Sequence, residues 1–110
     1  MKEQIKTLLI PITWLPIITH GYACGYVGVP KGHPWYGQDY YSVDVSIHGG
    51  LTYSGKNPSS KIDDLWWLGF DTAHFGDTMQ NCSKAYCENE VASLLKQAEE
   101  AITHDKQAVS

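Results

Sequence analysis

The pattern of apolar and polar positions separates a strand-rich part of the chain from a helical part. β-Branched residues are frequent from residue 5 to residue 18, and Pro11 and Pro16 exclude a long helix there. Residues 22–29 form a second predicted strand, in which Gly25 and Gly28 leave two positions without a side chain. The most apolar run, residues 65–70, predicts a central strand that is buried on both faces.

The clearest alternation lies in residues 41–48, where every second residue is apolar. This pattern predicts a strand with one buried face and one polar face. Gly49 and Gly50 can adopt the positive φ values of a tight turn, so residues 51–54 are predicted to return as the hairpin partner.

From residue 82 to residue 103 the apolar period becomes helical, and Asn81 or Ser83 is expected to cap the start. The predicted fold class is therefore α+β, in which a small antiparallel sheet carries one C-terminal amphipathic helix on a face. The length favours a single domain over residues 1–110. The apolar stripe of the helix comprises Cys87, Val91, Leu94, Leu95, Ala98 and Ile102.

The charge balance excludes nucleic acid as an expected partner. The formal net charge is −4 and the chain contains no Arg. A protein that binds DNA or RNA usually needs a cationic surface to displace counterions from the phosphates, and it commonly reads guanine with Arg.

Membrane association is not expected either. The N-terminal apolar run, residues 8–18, is too short to span a bilayer, and prolines interrupt it. The odd number of cysteines and the absence of a CxxC pair predict free thiols in a reducing compartment, which favours a cytoplasmic location.

Three loops carry candidate functional residues. In the first, residues 71–77, Asp71 and Asp77 flank His74 at intervals of three residues, just beyond the predicted central strand. Histidine with aspartate suits a divalent metal or a general-base pair. The structural alternative is that the two carboxylates cap the strand end and the following turn.

The second loop is His48-Gly49-Gly50, where backbone without side chains would allow close approach of a ligand beside an imidazole. The third is residues 32–37, in which Trp35 and Tyr36 could stack on a planar ligand and His33 adds a polar tip. The structural alternative for Trp35 is that it covers the edge of the core. The sequence predicts that all three loops converge on one site.

Three blocks, GYVGVPKGHPWYG, DVSIHGGLTYSG and LWWLGFDTAHFGD, resemble small phage and prophage proteins of unassigned function. Together they cover 38 of the 110 residues, about a third of the chain. The resemblance implies a phage-related origin and a host-cytoplasmic setting, and it transfers no catalytic residue. Phage chains of this size often counter host defence.

The leading hypothesis is a non-enzymatic protein that sequesters a nucleotide-derived immune signal, with no cofactor. Trp35 and Tyr36 would stack on the planar part of this small-molecule ligand. The expected contacts to its sugar hydroxyls or phosphates are His48, Gly49, Gly50, Asp71 and His74, and His33 in the aromatic loop is a further expected ligand-binding residue.

Two alternatives remain open. One is a metal-dependent hydrolase acting on a nucleotide or phosphoester, with a divalent ion bound by His48, Asp71, His74 and Asp77 and without a cysteine in the set. The other is a protein inhibitor that contacts a host defence enzyme through an aromatic patch. A homodimer that pairs exposed sheet edges is compatible with each hypothesis.

Overall fold

A four-stranded antiparallel sheet with one long helix packed on it forms the core of the molecule. The computed structural model describes the backbone of residues 1–109 and the side chains of residues 1–103. The strand order is β1-β2-β4-β3, so β2 and β4 are central. The bounds are β1 (Lys6–Pro11), β2 (Ala23–Val29), β3 (Tyr53–Gly55), β4 (Trp66–Phe70) and α1 (Lys84–Val109), with short 3-10 turns at Lys2–Gln4, Ile17–Thr19 and Tyr40–Ser42.

This architecture confirms the predicted α+β class. The helix packs mainly against β2 and β1. Val27 and Leu68 are partners across the two central strands, and both side chains are fully buried. The predicted central strand in residues 65–70 is confirmed as β4, since it pairs with a neighbour on each side.

The helix begins after Ser83, whose hydroxyl accepts a hydrogen bond from the Tyr86 backbone N–H at 3.3 Å. Asn81 instead bonds to Thr78 in the preceding turn. The predicted apolar stripe faces the sheet, because every member is buried except Leu95, which is half-buried. Within the described part of the chain, no helix combines the length and apolar composition needed to cross a bilayer.

The prediction of a strand in residues 41–48 is wrong. This segment begins in the Tyr40–Ser42 turn and then runs along the helix without joining the sheet. Three of its backbone groups bond to helix side chains: the Ser46 N–H and C=O exchange two hydrogen bonds of 2.8 Å with the Gln97 amide, and the His48 N–H donates to Glu90 at 2.9 Å. The alternation is genuine, but the partner of the apolar face is the helix and core.

The predicted hairpin at Gly49-Gly50 is wrong for the same reason. Both glycines do have positive φ values, 65° and 79°, and the Gly50 N–H closes a turn onto the Ile47 carbonyl. The chain then continues to β3, which pairs with β4 and not with residues 41–48.

Leu94→Ala is expected to lower the free energy of unfolding by about 2–5 kcal/mol, because a fully buried side chain is replaced by a cavity. Its neighbour Leu95 is the matched control: this side chain is half-buried, so Leu95→Ala is expected to cost about 1 kcal/mol. Urea denaturation followed by circular dichroism measures both values. Equal losses would mean that the helix presents a different face to the sheet.

Candidate functional site

His48, His74 and Asp77 lie together although they come from two separate loops. Nε2 of His48 is 3.0 and 3.1 Å from the two carboxylate oxygens of Asp77. Nδ1 of His74 is 3.1 Å from Oδ2 of the same carboxylate. The two imidazole centroids are 5.6 Å apart, and one ligand atom from each residue lies within 4.8 Å of the others. We call these three residues the His–His–Asp cluster.

The start of α1 holds His48 in place. Its Nδ1 is 2.8 Å from the Tyr86 hydroxyl, and its backbone N–H donates to Glu90 one turn further along. Burial, with the nearby Glu90 carboxylate, raises the pKa of Tyr86, so the phenol keeps its proton near neutral pH. Because a hydroxyl both donates and accepts, Tyr86 can serve either tautomer of His48.

A tight loop after β4 brings His74 and Asp77 together. The Asp77 carboxylate accepts the His74 backbone N–H at 2.9 Å, and the Asp77 N–H donates to the His74 carbonyl at 2.9 Å. Gly49 lies directly against the His74 ring, where a Cβ would be 2.8 Å from Nε2. A side chain at this position would therefore push the second loop away from the first.

Asp71 stands at the edge of the cluster. Its carboxylate accepts hydrogen bonds of 2.9 Å from the Ala73 N–H and from the Thr52 hydroxyl, and it lies 3.6 Å from Nδ1 of His74. The loop-capping role considered for Asp71 and Asp77 is thus present. It coexists with the approach of both carboxylates to the imidazoles.

The hydrogen bonds around Asp77 keep it ionised. Burial by itself would raise the pKa of this carboxyl, but hydrogen bonds from the His74 backbone and from both imidazoles outweigh burial and lower it. The result is a buried, ionised carboxylate with one nitrogen of each imidazole 3.0–3.1 Å from its oxygens.

Cys82 was missed as a site residue by the sequence analysis. Its Sγ is 3.6 Å from Oδ1 of Asp77 and 3.8 Å from Nε2 of His48. Burial, together with the Asp77 charge, raises the pKa of this thiol to about 11. Cys82 lies five residues after Asp77, a spacing without a recognised ligand pattern, and only the turn before α1 brings them together.

The third loop lies elsewhere, so the predicted convergence is wrong for His33. Its Nε2 is 2.8 Å from the Ala98 carbonyl, and its Nδ1 accepts the Trp35 N–H at 2.9 Å. Ala98 follows Tyr86 by twelve residues, which is roughly 18 Å along a helix. Trp35 is buried in the core, as its structural alternative proposed, and Tyr36 packs against Trp66.

A cleft of about 490 Å³ opens beside the His–His–Asp cluster, and Asp71 and His74 form part of its lining. Its aromatic walls include Trp14, Tyr26 and Tyr53. Neither Trp14 nor Tyr26 was a candidate from the sequence. The cleft has the volume typical of a small-molecule site.

Comparisons with protein-family models, with curated proteins and with solved structures found no match. The resemblance of the three sequence blocks to phage proteins therefore stays a prediction, and the site has to be interpreted from its own chemistry.

All three thiols are expected to react slowly in the folded protein. Burial raises the pKa of Cys24 and of Cys82 to about 11, so at pH 8 roughly one in a thousand of these two thiols is ionised, and burial also raises the pKa of Cys87. Titration with a chromogenic disulfide at pH 8 should proceed slowly before unfolding and then count three thiols in denaturant without reductant. Rapid reaction before unfolding would contradict the burial, and fewer than three thiols after unfolding would contradict the free state.

Proposed function

We propose that this protein is a metal-dependent hydrolase whose divalent ion is bound by His48, His74 and Asp77. The observation that carries the proposal is the mutual proximity of their ligand atoms, all within 4.8 Å. A tetrahedral ion with bonds of about 2.0–2.1 Å places its ligand atoms about 3.3 Å apart, so a small adjustment of the cluster would accommodate it.

The ligand types favour zinc or a similar transition ion. Two imidazoles and one carboxylate form a ligand set used by catalytic zinc sites, which leave the fourth position for water. The Tyr86 hydroxyl on Nδ1 of His48 supports this assignment, because a ligating imidazole usually has a hydrogen-bond partner on its other nitrogen. Cys82 is near enough to respond to the ion, whose charge would lower the pKa of a neighbouring thiol.

The proposed chemistry is hydrolysis of a phosphoester such as a nucleotide. The ion held by His48, His74 and Asp77 would supply a water of lowered pKa as the nucleophile for phosphorus. In the net reaction a new P–O bond replaces the ester P–O bond, and the proton from the water goes to the departing alkoxide. Asp71, 3.6 Å from His74 at the edge of the cleft, would carry that proton. Because the chain has no Arg, the ion would be the main positive charge available to the phosphate.

Sequestration without cleavage is the second candidate, and the cleft of about 490 Å³ beside the cluster favours it. The sequence predicted that Trp35 would stack on the sequestered ligand, but this side chain is only 8% exposed. Any stacking partner would instead come from the aromatic walls of the cleft. The two candidates differ in whether the ligand leaves intact.

EDTA-treated protein is expected to bind one Zn²⁺ per chain in isothermal titration calorimetry. His74→Ala and Asp77→Asn should lose this stoichiometric binding, and Tyr86→Phe should weaken it about 10- to 100-fold through loss of the hydroxyl partner. Asp44→Asn is the matched control, since Asp44 is an exposed carboxylate on the same segment as His48. Zn²⁺ binding that survives both His74→Ala and Asp77→Asn would exclude the His–His–Asp cluster.

The zinc-loaded protein is expected to release p-nitrophenol from bis(p-nitrophenyl) phosphate, and candidate nucleotides should be recovered cleaved. Turnover should disappear with EDTA, return with added Zn²⁺ and be absent in His74→Ala, while Asp44→Asn retains it. Chromatography after denaturation shows the fate of the nucleotides. If nucleotides bind the zinc-loaded protein but are recovered intact, the protein sequesters its ligand and does not hydrolyse it.

A further inference from the structure

The cleft beside the cluster lies on the sheet face opposite the helix. Tyr26 of β2 and Tyr53 of β3 are both register partners of Gly69 in β4, so the two side chains project from the same face. Val27 and Leu68, the next pair along the central strands, point to the other face and contribute to the core under α1. The helix therefore does not cover the face with the tyrosines.

Gly69 makes room for the two tyrosine rings. A Cβ at this position would collide with the ring of Tyr26. With no side chain between them, the rings approach to 5.6 Å between centroids with their planes at 87°. Two perpendicular rings form adjoining walls of the cleft. Trp14, which is 60% exposed, supplies a third aromatic surface.

Charge at the cleft is negative. Asp71 lines it beside the tyrosines, and its carboxylate is held by the Thr52 hydroxyl and the Ala73 N–H. Among the described residues, no lysine lines the cleft, and the chain has no Arg. An anion placed here would meet the Asp71 carboxylate, and the basic side chain in the described lining is the His74 imidazole, 3.6 Å from that carboxylate.

Aromatic faces attract cations through the negative potential above the ring, and this attraction increases when water is excluded. The three aromatic walls and the Asp71 carboxylate therefore both attract positive charge, the rings through their π faces and the carboxylate through its negative charge. We infer that the cleft formed by Trp14, Tyr26, Tyr53 and Asp71 binds the cationic group of a small organic ligand, of the alkylammonium type.

This inference does not rest on the metal site, because no residue of the aromatic walls is a proposed ligand of the ion. If both sites exist, they would recognise opposite charges of one substrate. The phosphoester would lie at the ion, and the alkylammonium group would lie in the cleft. That pairing, unlike the cation site itself, depends on the proposed function.

The test uses EDTA-treated protein comprising residues 1–110 and two probes of the same size: choline and its uncharged carbon analogue, 3,3-dimethylbutan-1-ol. Ligand-observed NMR titration should show choline binding about 3- to 30-fold more tightly, which is the range expected for a desolvated cation on aromatic rings. Trp14→Ala should abolish the preference, Trp14→Phe should keep part of it, and Asp71→Asn should reduce it.

Tyr41→Ala is the control, because Tyr41 is 73% exposed but is not part of the cleft. It should leave choline binding unchanged, and circular dichroism should show that every variant is folded. Equal binding of the two probes, or loss of choline binding in Tyr41→Ala, would overturn the cation site. Because the zinc titration is separate, failure of the cation site leaves the metal site standing, and failure of zinc binding leaves the cation site standing.

Discussion

The packing of α1 against the sheet is the constraint on which the rest of the structure depends. One face of the helix buries Leu94, Ala98 and their neighbours against β2 and β1. Polar side chains on the flank of the helix, those of Gln97, Glu90 and Tyr86, form hydrogen bonds to the segment that ends in His48. The helix therefore closes the core and also positions one half of the candidate site. A change in its rotation would alter both.

Asp77 is the point at which the two halves of the site join. Its carboxylate accepts hydrogen bonds from His48, from His74 and from the His74 backbone. The network stabilises the carboxylate strongly enough to lower its pKa in spite of burial. Asp77 thus orders both imidazoles. In the proposed metal-bound state, the nitrogens that donate to Asp77 would give up those protons and coordinate the ion.

The two sites proposed here have complementary electrostatics. A divalent ion would bring positive charge to a protein that has no Arg, and it would do so beside a cleft with one fixed carboxylate. The aromatic walls come from Trp14, Tyr26 and Tyr53, whereas Trp35 contributes to the core. The aromatic residues that sequence reasoning favoured and those that line the cleft are consequently different sets.

The sequence by itself determined the fold class, the helix with its buried stripe and the central strand β4. These features follow from local periodicity, which depends only on neighbouring residues. The alternation in residues 41–48 also predicted a face toward the core, and Val43, Val45 and Ile47 do pack against it, whereas Tyr41 is 73% exposed. The element on which this face packs could not be predicted, because an alternating apolar face packs equally well on a strand or on a helix.

The tertiary structure alone decided which loop residues meet. His48 and His74 are 26 residues apart and are joined through Asp77, whereas His33 is drawn to the far part of the helix. Cys82 and the tyrosines across Gly69 carry no sequence signal, since their spacing matches no motif. Residue types and local spacing limit what chemistry a side chain can perform. Its partners depend on register and helix packing, which are set by the burial of the whole core.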